Sequence, residues 1–336
     1  NRLKIMAGLD LAEKRLPLDG RIKMHIAGHD VDFRVSSLPA YHGESIVLRI
    51  LRPEAAKLGI TSMGFEQDDY ERFQRIIKRP NGIILVTGPT GSGKTTTLYG
   101  AINELNRPDR KIITAEDPVE YNFTGVNQVQ VNDQIGLTFA SILRSMLRQA
   151  PNIILVGEIR DLEVAEVAIQ AALTGHLVFS TLPTNDAPSA VTRLIDMGVK
   201  PFLVASSIQA IMAQRLIRTI CKECKEPNPT KDVRILKLLG FSQQEIETGT
   251  FWHGKGCNAC SGTGYRGRQG IFEMMEMDNV VRELAFNRAA LSEIRKAARA
   301  AGMRNLLEDG KIKVRNGITT PEELVRVTQA ADLMVD

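Results

Sequence analysis

Hydrophobic and polar positions change period twice along this chain, and the changes divide it into regions. From Asn1 to Lys14, Leu3, Ile5, Met6, Leu9 and Leu11 recur at helical spacing, and Pro17 with Asp19-Gly20 then predicts a turn. The period next drops to two. Ile22, Met24 and Ile26 alternate with Arg21, Lys23 and His25; beyond Ala27-Gly28-His29-Asp30, Val31, Phe33 and Val35 alternate with Asp32 and Arg34. This predicts a β-hairpin with one apolar face, followed by a third strand at Ile46–Leu51. Residues 1–55 therefore read as a small α/β domain. The Pro53-, Gly59- and Gly64-bearing stretch 52–64 reads as its connection to the rest, with 56–64 the linker.

From Phe65 the pattern becomes helix, strand, helix, strand. It predicts a helix over 66–78, a buried strand Ile83–Thr87, a helix from Lys94 and a strand Lys111–Ala115. Further on it predicts strands Ile153–Val156 and Leu177–Thr181 with the helix Leu162–Leu173 between them. Strands alternating with helices of this length imply parallel pairing in a doubly wound sheet, an α/β fold. The alternation stops near 218. A loop-rich segment with cysteines occupies 219–270, and helical patterns at Leu291–Ala301 and Pro321–Gln329 close a helical region over 271–336.

Composition narrows the class. With 336 residues, 43% of them hydrophobic, the chain can bury sizeable cores. No apolar run approaches the length of a membrane span, and Asn1-Arg2-Leu3-Lys4 carries neither a signal-peptide block nor an initiating methionine, so a cytosolic chain trimmed at its N-terminus is expected. Forty-three Lys and Arg against 39 Asp and Glu leave a net charge of only +4. That is the charge of a mixed surface rather than of a nucleic-acid binder.

Gly88, Pro89, Thr90, Gly91, Ser92, Gly93, Lys94 and Thr95 match G-x-x-x-x-G-K-[ST], with Thr96 following, between a strand and a helix. Glycines let successive N–H groups face phosphates, Lys94 reaches the terminal phosphates, and the Thr95 hydroxyl suits Mg²⁺. The expected substrate is ATP. A P-loop needs an acidic partner at a neighbouring strand end, and Glu158 follows the strand Ile153–Val156 there. A second cluster, Glu116-Asp117-Pro118-Val119-Glu120, follows the strand at 111–115; one carboxylate acting through magnesium and another orienting water would suit hydrolysis. Gly175-His176 precedes another apolar strand and would bring an imidazole near the γ-phosphate, a satisfied structural role being its alternative.

The four cysteines form two knuckles, Cys221-x-x-Cys224 and Cys257-x-x-Cys260, separated by 32 residues. Two such pairs suit tetrahedral Zn²⁺, and four thiolates leave no open position, so a structural zinc site flanking a small helical insert is expected; a redox pair is the rival reading.

Taken in order, these elements resemble the secretion ATPases of type II secretion systems and the assembly ATPases of type IV pili. Beyond the P-loop the resemblance rests on Leu18-Asp19-Gly20-Arg21-Ile22, Phe33-Arg34-Val35-Ser36, Gly43-Glu44-Ser45, Thr114-Ala115-Glu116-Asp117-Pro118-Val119-Glu120, Gly157-Glu158-Ile159-Arg160-Asp161, Thr174-Gly175-His176, Ala213-Gln214-Arg215-Leu216 and the cysteines. It implies a RecA-like ATPase core with a small N-terminal α/β domain on a mobile linker, assembled as a homohexamer that drives pilin or pseudopilin assembly. Arg21, Arg34 and Arg49 would complete the nucleotide site, Glu116 would be the water-activating base, and Glu158 the Walker B carboxylate. An inner-membrane platform protein would be the partner, at the cytoplasmic face of the membrane. Complete members carry a further N-terminal docking domain, which is not expected among these residues.

Two positions depart from the family pattern. Pro183 stands where Ser-Thr-Leu-His-Thr-Asn has its histidine, which removes an imidazole and a backbone donor and predicts weakened γ-phosphate sensing. Asn152 replaces an aspartate just before the Ile153–Val156 strand, a milder change.

Overall fold

The computed structural model describes residues 1–26, 28–51 and 59–328, and these form two compact units. One comprises the N-terminal region with Glu120–Asn122; the other comprises Gly59–Val119 and the chain from Phe123 onward.

The first unit is an antiparallel meander of β1 (Leu18–Ile26), β2 (His29–Ala40) and β3 (Gly43–Leu51), preceded by the short helix α1 (Arg2–Met6). Ala7, Ile22 and Val35 are buried, with Leu3, Leu9, Phe33 and Ile46 packed against them. The helix is shorter than the apolar spacing predicts. Gly8 adopts a left-handed φ of 69°, and Leu9 N–H returns to Lys4 O at 2.8 Å, the closure that ends a helix. Lys4 is buried and satisfied, its ammonium donating to Glu13 O and Glu44 Oε1, each at 2.7 Å. Ile26 pairs with His29, so His29 and Asp30, expected in the turn, belong to β2.

The second unit is built on a seven-stranded sheet of order β12-β9-β4-β8-β7-β5-β6. Its strands are β4 (Gly82–Thr87), β5 (Ile112–Glu116), β6 (Val126–Gln130), β7 (Ile153–Val156), β8 (Leu177–Leu182), β9 (Ile208–Ile220) and β12 (Tyr265–Glu276). All neighbouring pairs are parallel except the antiparallel β9–β12 pair at one edge. The four residues of β7 are all buried, as are the six of β4 and of β8. These are the continuous apolar runs of a sheet covered on both faces. Helices α2 (Gln67–Ile77) and α3 (Lys94–Leu105) cover one face; α4 (Phe139–Met146), α5 (Leu162–Leu173), α6 (Pro188–Asp196) and α7 (Pro201–Ser207) cover the other. This is a RecA-like P-loop core.

Between β9 and β12 lie α8 (Val233–Leu238), α9 (Gln243–Thr248) and the ribbon β10 (Lys225–Pro227) with β11 (Trp252–Gly254). After β12 come α10 (Asn279–Phe286), α11 (Leu291–Ala300), α12 (Leu306–Arg315) and α13 (Pro321–Thr328); Gln329, where the last helix was expected to end, lies outside the described residues. The expected boundary at 270/271 falls inside β12, so the cysteine segment and the C-terminal helices are joined to the core through one strand pair. Residues 52–58 lie outside the described residues, but 59–64 belong to the second unit. Gly270 N–H donates to Met63 O at 2.8 Å, and the buried Lys313 ammonium to Gly64 O at 2.5 Å. The linker expected over 56–64 is thus packed from Gly59 on.

Candidate functional site

The P-loop leaves the C-terminal end of β4 and enters α3, whose N-cap is Gly93. Gly88 and Gly93 are required by what lies beneath them. A Cβ on Gly88, at φ 139°, would sit 2.5 Å from Gln214 O and 2.6 Å from Ser92 Oγ; one on Gly93, at φ 89°, would sit 2.8 Å from Gln214 Nε2. Gln214 and Arg215 of β9 therefore form the floor of the loop. The Gln214 amide oxygen accepts from the buried Thr97 hydroxyl at 2.7 Å, while Arg215 donates to Gln214 O at 3.1 Å and to Asn185 O at 2.9 Å.

Lys94 folds back over the loop, its ammonium donating to Gly88 O at 2.8 Å and Pro89 O at 2.9 Å. Burial lowers its pKa, the Glu158 carboxylate opposes the shift, and Arg215 adds to it. The Ser92 Oγ and Thr87 Oγ1 atoms are buried without a protein partner. A glycine cradle with a cation and unsatisfied hydroxyls fits a nucleotide phosphate chain with its Mg²⁺.

Strand register fixes which groups share this edge. Thr87 pairs with Leu182, Val156 with Ser180, and Ala115 with Val156, so Glu116, Glu158 and Pro183 all emerge at the P-loop end of the sheet. Arg160 spans two of the acidic strand ends: Nε donates to Glu158 Oε2 at 2.7 Å, and Nη1 lies 3.8 Å from Asp117 Oδ2. The bond to Glu158 raises the Arg160 pKa. Glu116 is buried and accepts from the Tyr99 hydroxyl, from Thr114 Oγ1 at 2.5 Å and from Gln128 Nε2 at 3.1 Å.

In the first unit, Arg21 stands opposite Arg34, and Arg34 opposite Arg49, so the three predicted arginines make one row across the three-stranded sheet. Directly opposed like charges destabilise a sheet by a few tenths of a kcal/mol each. Glu120 offsets part of this, 3.4 Å from Arg34.

The Sγ atoms of Cys221, Cys224, Cys257 and Cys260 lie within 4.8 Å of one another. Cys221–Cys257 and Cys224–Cys260 are each separated by 3.9 Å, and Cys257–Cys260 by 3.7 Å. A tetrahedral thiolate site with bonds of about 2.3 Å has S–S edges of about 3.8 Å. Burial pushes the Cys260 thiol up, but N–H groups of Cys257 and Gly264, at 3.2 and 3.3 Å, outweigh it and bring it down to about 6. The cluster is suited to hold a metal.

Residues 1–326 match the family described as "Type II/IV secretion system protein". The chain belongs to the type II/IV secretion system protein family. Among its relatives, the type II secretion system ATPase E of Vibrio cholerae is 50% identical over 98% of this chain and 65% of its own length. The type IV pilus assembly ATPase PilB of Myxococcus xanthus is 51% identical over 97% of this chain and 58% of its own. The chain thus spans less than two thirds of these relatives. The crystal structure of the pilus retraction motor PilT with bound ADP superposes with a TM-score of 0.64 at 28% identity, covering 93% of this chain and 77% of that one.

One residue expected at the nucleotide site of this secretion-system protein is elsewhere. His176 precedes β8, and Gly82, at the start of β4, pairs with Leu177. His176 is therefore at the sheet edge opposite the P-loop, a strand length of about 17 Å away. It serves the end of α5: its backbone N–H donates to Ala171 O at 3.1 Å, and Nδ1 lies 2.9 Å from the same oxygen. It lines a cleft of about 240 Å³ with Arg79, Arg110 and Asn152. We expect His176→Ala to keep ATP turnover within about twofold while losing about 1 kcal/mol of stability, measured by steady-state assay and thermal melt; a hundredfold loss of turnover would contradict this placement. Asn152 is at that far edge too, its Oδ1 accepting from Lys111 N–H at 2.7 Å, an acceptor role an aspartate fills equally.

Tyr99, Gln128 and Arg160 were not singled out as site residues by the sequence, nor was a role assigned to Gln214 and Arg215. The motif Ala213-Gln214-Arg215-Leu216 marked the last two; Tyr99 lies in the second turn of the P-loop helix and carries no local signal. Among the described residues no helix is long and apolar enough to cross a membrane.

Proposed function

We propose that this chain is the motor portion of a secretion or pilus-assembly ATPase: it hydrolyses ATP in a homohexameric ring and passes the resulting movement to an inner-membrane platform protein that assembles pilins or pseudopilins. The observation that carries the reading is the sharing of one sheet edge by the P-loop and the carboxylates of Glu116 and Glu158, with Lys94 near enough to Glu158 to feel its charge. The family membership supplies the mechanical output, since the relatives named above are secretion and pilus ATPases.

Backbone N–H groups of Gly91–Thr95 and the Lys94 ammonium bind and orient the phosphate chain. Thr95 and Glu158 would hold Mg²⁺, which when bound neutralises charge on the transferred phosphoryl group. Glu116 accepts the proton of the attacking water. Arg21, Arg34 and Arg49, one row across the small sheet, complete the site by offering guanidinium groups to the terminal phosphate. The four cysteines hold a structural Zn²⁺, and the protein works at the cytoplasmic face of the membrane.

Glu116→Gln tests the base. The amide keeps the shape but accepts no proton, so turnover is expected to fall by about 10²–10⁴-fold with ATP affinity, read by a fluorescent analogue, unchanged. Turnover at the native rate would remove Glu116 from the mechanism.

A further inference from the structure

Glu116 has more hydrogen-bond donors than a carboxylate at the surface would, and their distribution between its two oxygens is uneven. Oε1 accepts from Thr114 Oγ1 at 2.5 Å and from Gln128 Nε2 at 3.1 Å, while Oε2 accepts from the Tyr99 hydroxyl. An ionised carboxylate offers about four lone-pair directions. Two donors occupy Oε1, one occupies Oε2, and a single direction on Oε2 is left for a fourth.

We propose that Tyr99, Thr114 and Gln128 are positioning residues for hydrolysis: they fix the Glu116 carboxylate and turn the remaining lone pair of Oε2 toward the attacking water. The proposal rests on the reading of Glu116 as the base. The three donors come from independent elements, and each is itself fixed. Thr114 is on β5 two residues before Glu116, on the same face of the strand. The amide oxygen of Gln128, on β6, accepts from Phe123 N–H at 2.8 Å, which leaves the NH₂ group directed at Glu116. The Tyr99 ring is almost fully buried and packs edge-on against Phe123, with centroids 4.9 Å apart and planes at 86°.

Tyr99 gives the arrangement its link to the nucleotide. In the sheet, β8 and β7 separate β5 from the P-loop strand β4, so Glu116 is not a lateral neighbour of the cradle. Tyr99 lies on α3, five residues after Lys94, so the helix that begins at the phosphates also delivers the hydroxyl that orients Oε2. The Tyr99 side chain thus reaches Glu116 from the P-loop helix.

Tyr99→Phe removes one oxygen and keeps the ring packing, so the fold is expected to survive, as a melt checks. The expected kinetic result is a kcat about tenfold lower with the KM for ATP unchanged. Thr114→Val repeats the effect and Thr114→Ser, which restores a hydroxyl, reverses it. An unchanged kcat in Tyr99→Phe, beside an inactive Glu116→Gln, would overturn the positioning role and leave Glu116 as the base. An active Glu116→Gln would overturn both.

Discussion

Lys94→Ala is expected to lower ATP turnover at least about a thousandfold, some 4 kcal/mol of transition-state stabilisation, while the melting temperature hardly moves. The two halves of that expectation have separate causes. The ammonium is the cation built into the cradle, held over the loop by Gly88 O and Pro89 O and partly withdrawn from water, so its attraction to a phosphate is screened less than at a surface. Its partners are loop carbonyls rather than core groups, and the loop shape is fixed instead by Gln214 beneath Gly88 and Gly93. A steady-state assay paired with a melt checks both. Turnover within tenfold of the native rate would mean that the loop does not bind the reacting phosphates.

Loss of the zinc proposed for the cysteine cluster is expected to cause the largest structural change. Metal analysis should find one zinc per chain, and Cys257→Ser or a strong chelator should release it and unfold the segment between β9 and β12. Structural zinc in small modules contributes about 10–16 kcal/mol of apparent binding energy at neutral pH, and here it would add to the segment's apolar cluster of Leu236, Leu239, Phe241, Ile246 and Phe251. The chain carries a single tryptophan, Trp252 of β11, with the Lys225 ammonium 4.7 Å from its ring centroid. Its emission should shift to longer wavelength as the zinc leaves. Full thermal stability and unchanged emission in a zinc-free chain would show that the four thiols are ordinary buried groups.

The parallel core was legible because buried strands such as Ile153–Val156 are uniformly apolar and end at glycines or acids, and because the helix Leu162–Leu173 has its N-cap in Asp161. The antiparallel edge was not legible. Residues 208–213 of β9 read as part of an apolar stretch, and Tyr265–Glu276 runs from polar and glycine residues into Ile271-Phe272-Glu273-Met274-Met275-Glu276, so neither shows a period of two that separates strand from helix. At the site, the P-loop and both carboxylates follow from position after a strand. His176 shows where that reasoning fails. It too adjoins a buried strand, but at its beginning, and only register distinguishes the chemical edge of a parallel sheet from the opposite one. Tyr99 was invisible for a different reason: its partner Glu116 is 17 residues away, and their contact exists only once α3 is packed on the sheet.

The most direct test of a ring motor is ATP turnover per subunit measured across protein concentration with Mg²⁺, alongside sedimentation of the same samples. Activity that rises as the chain associates into hexamers and disappears in Lys94→Ala is the predicted result; no Mg²⁺-dependent turnover at any concentration, or turnover independent of association, would contradict it.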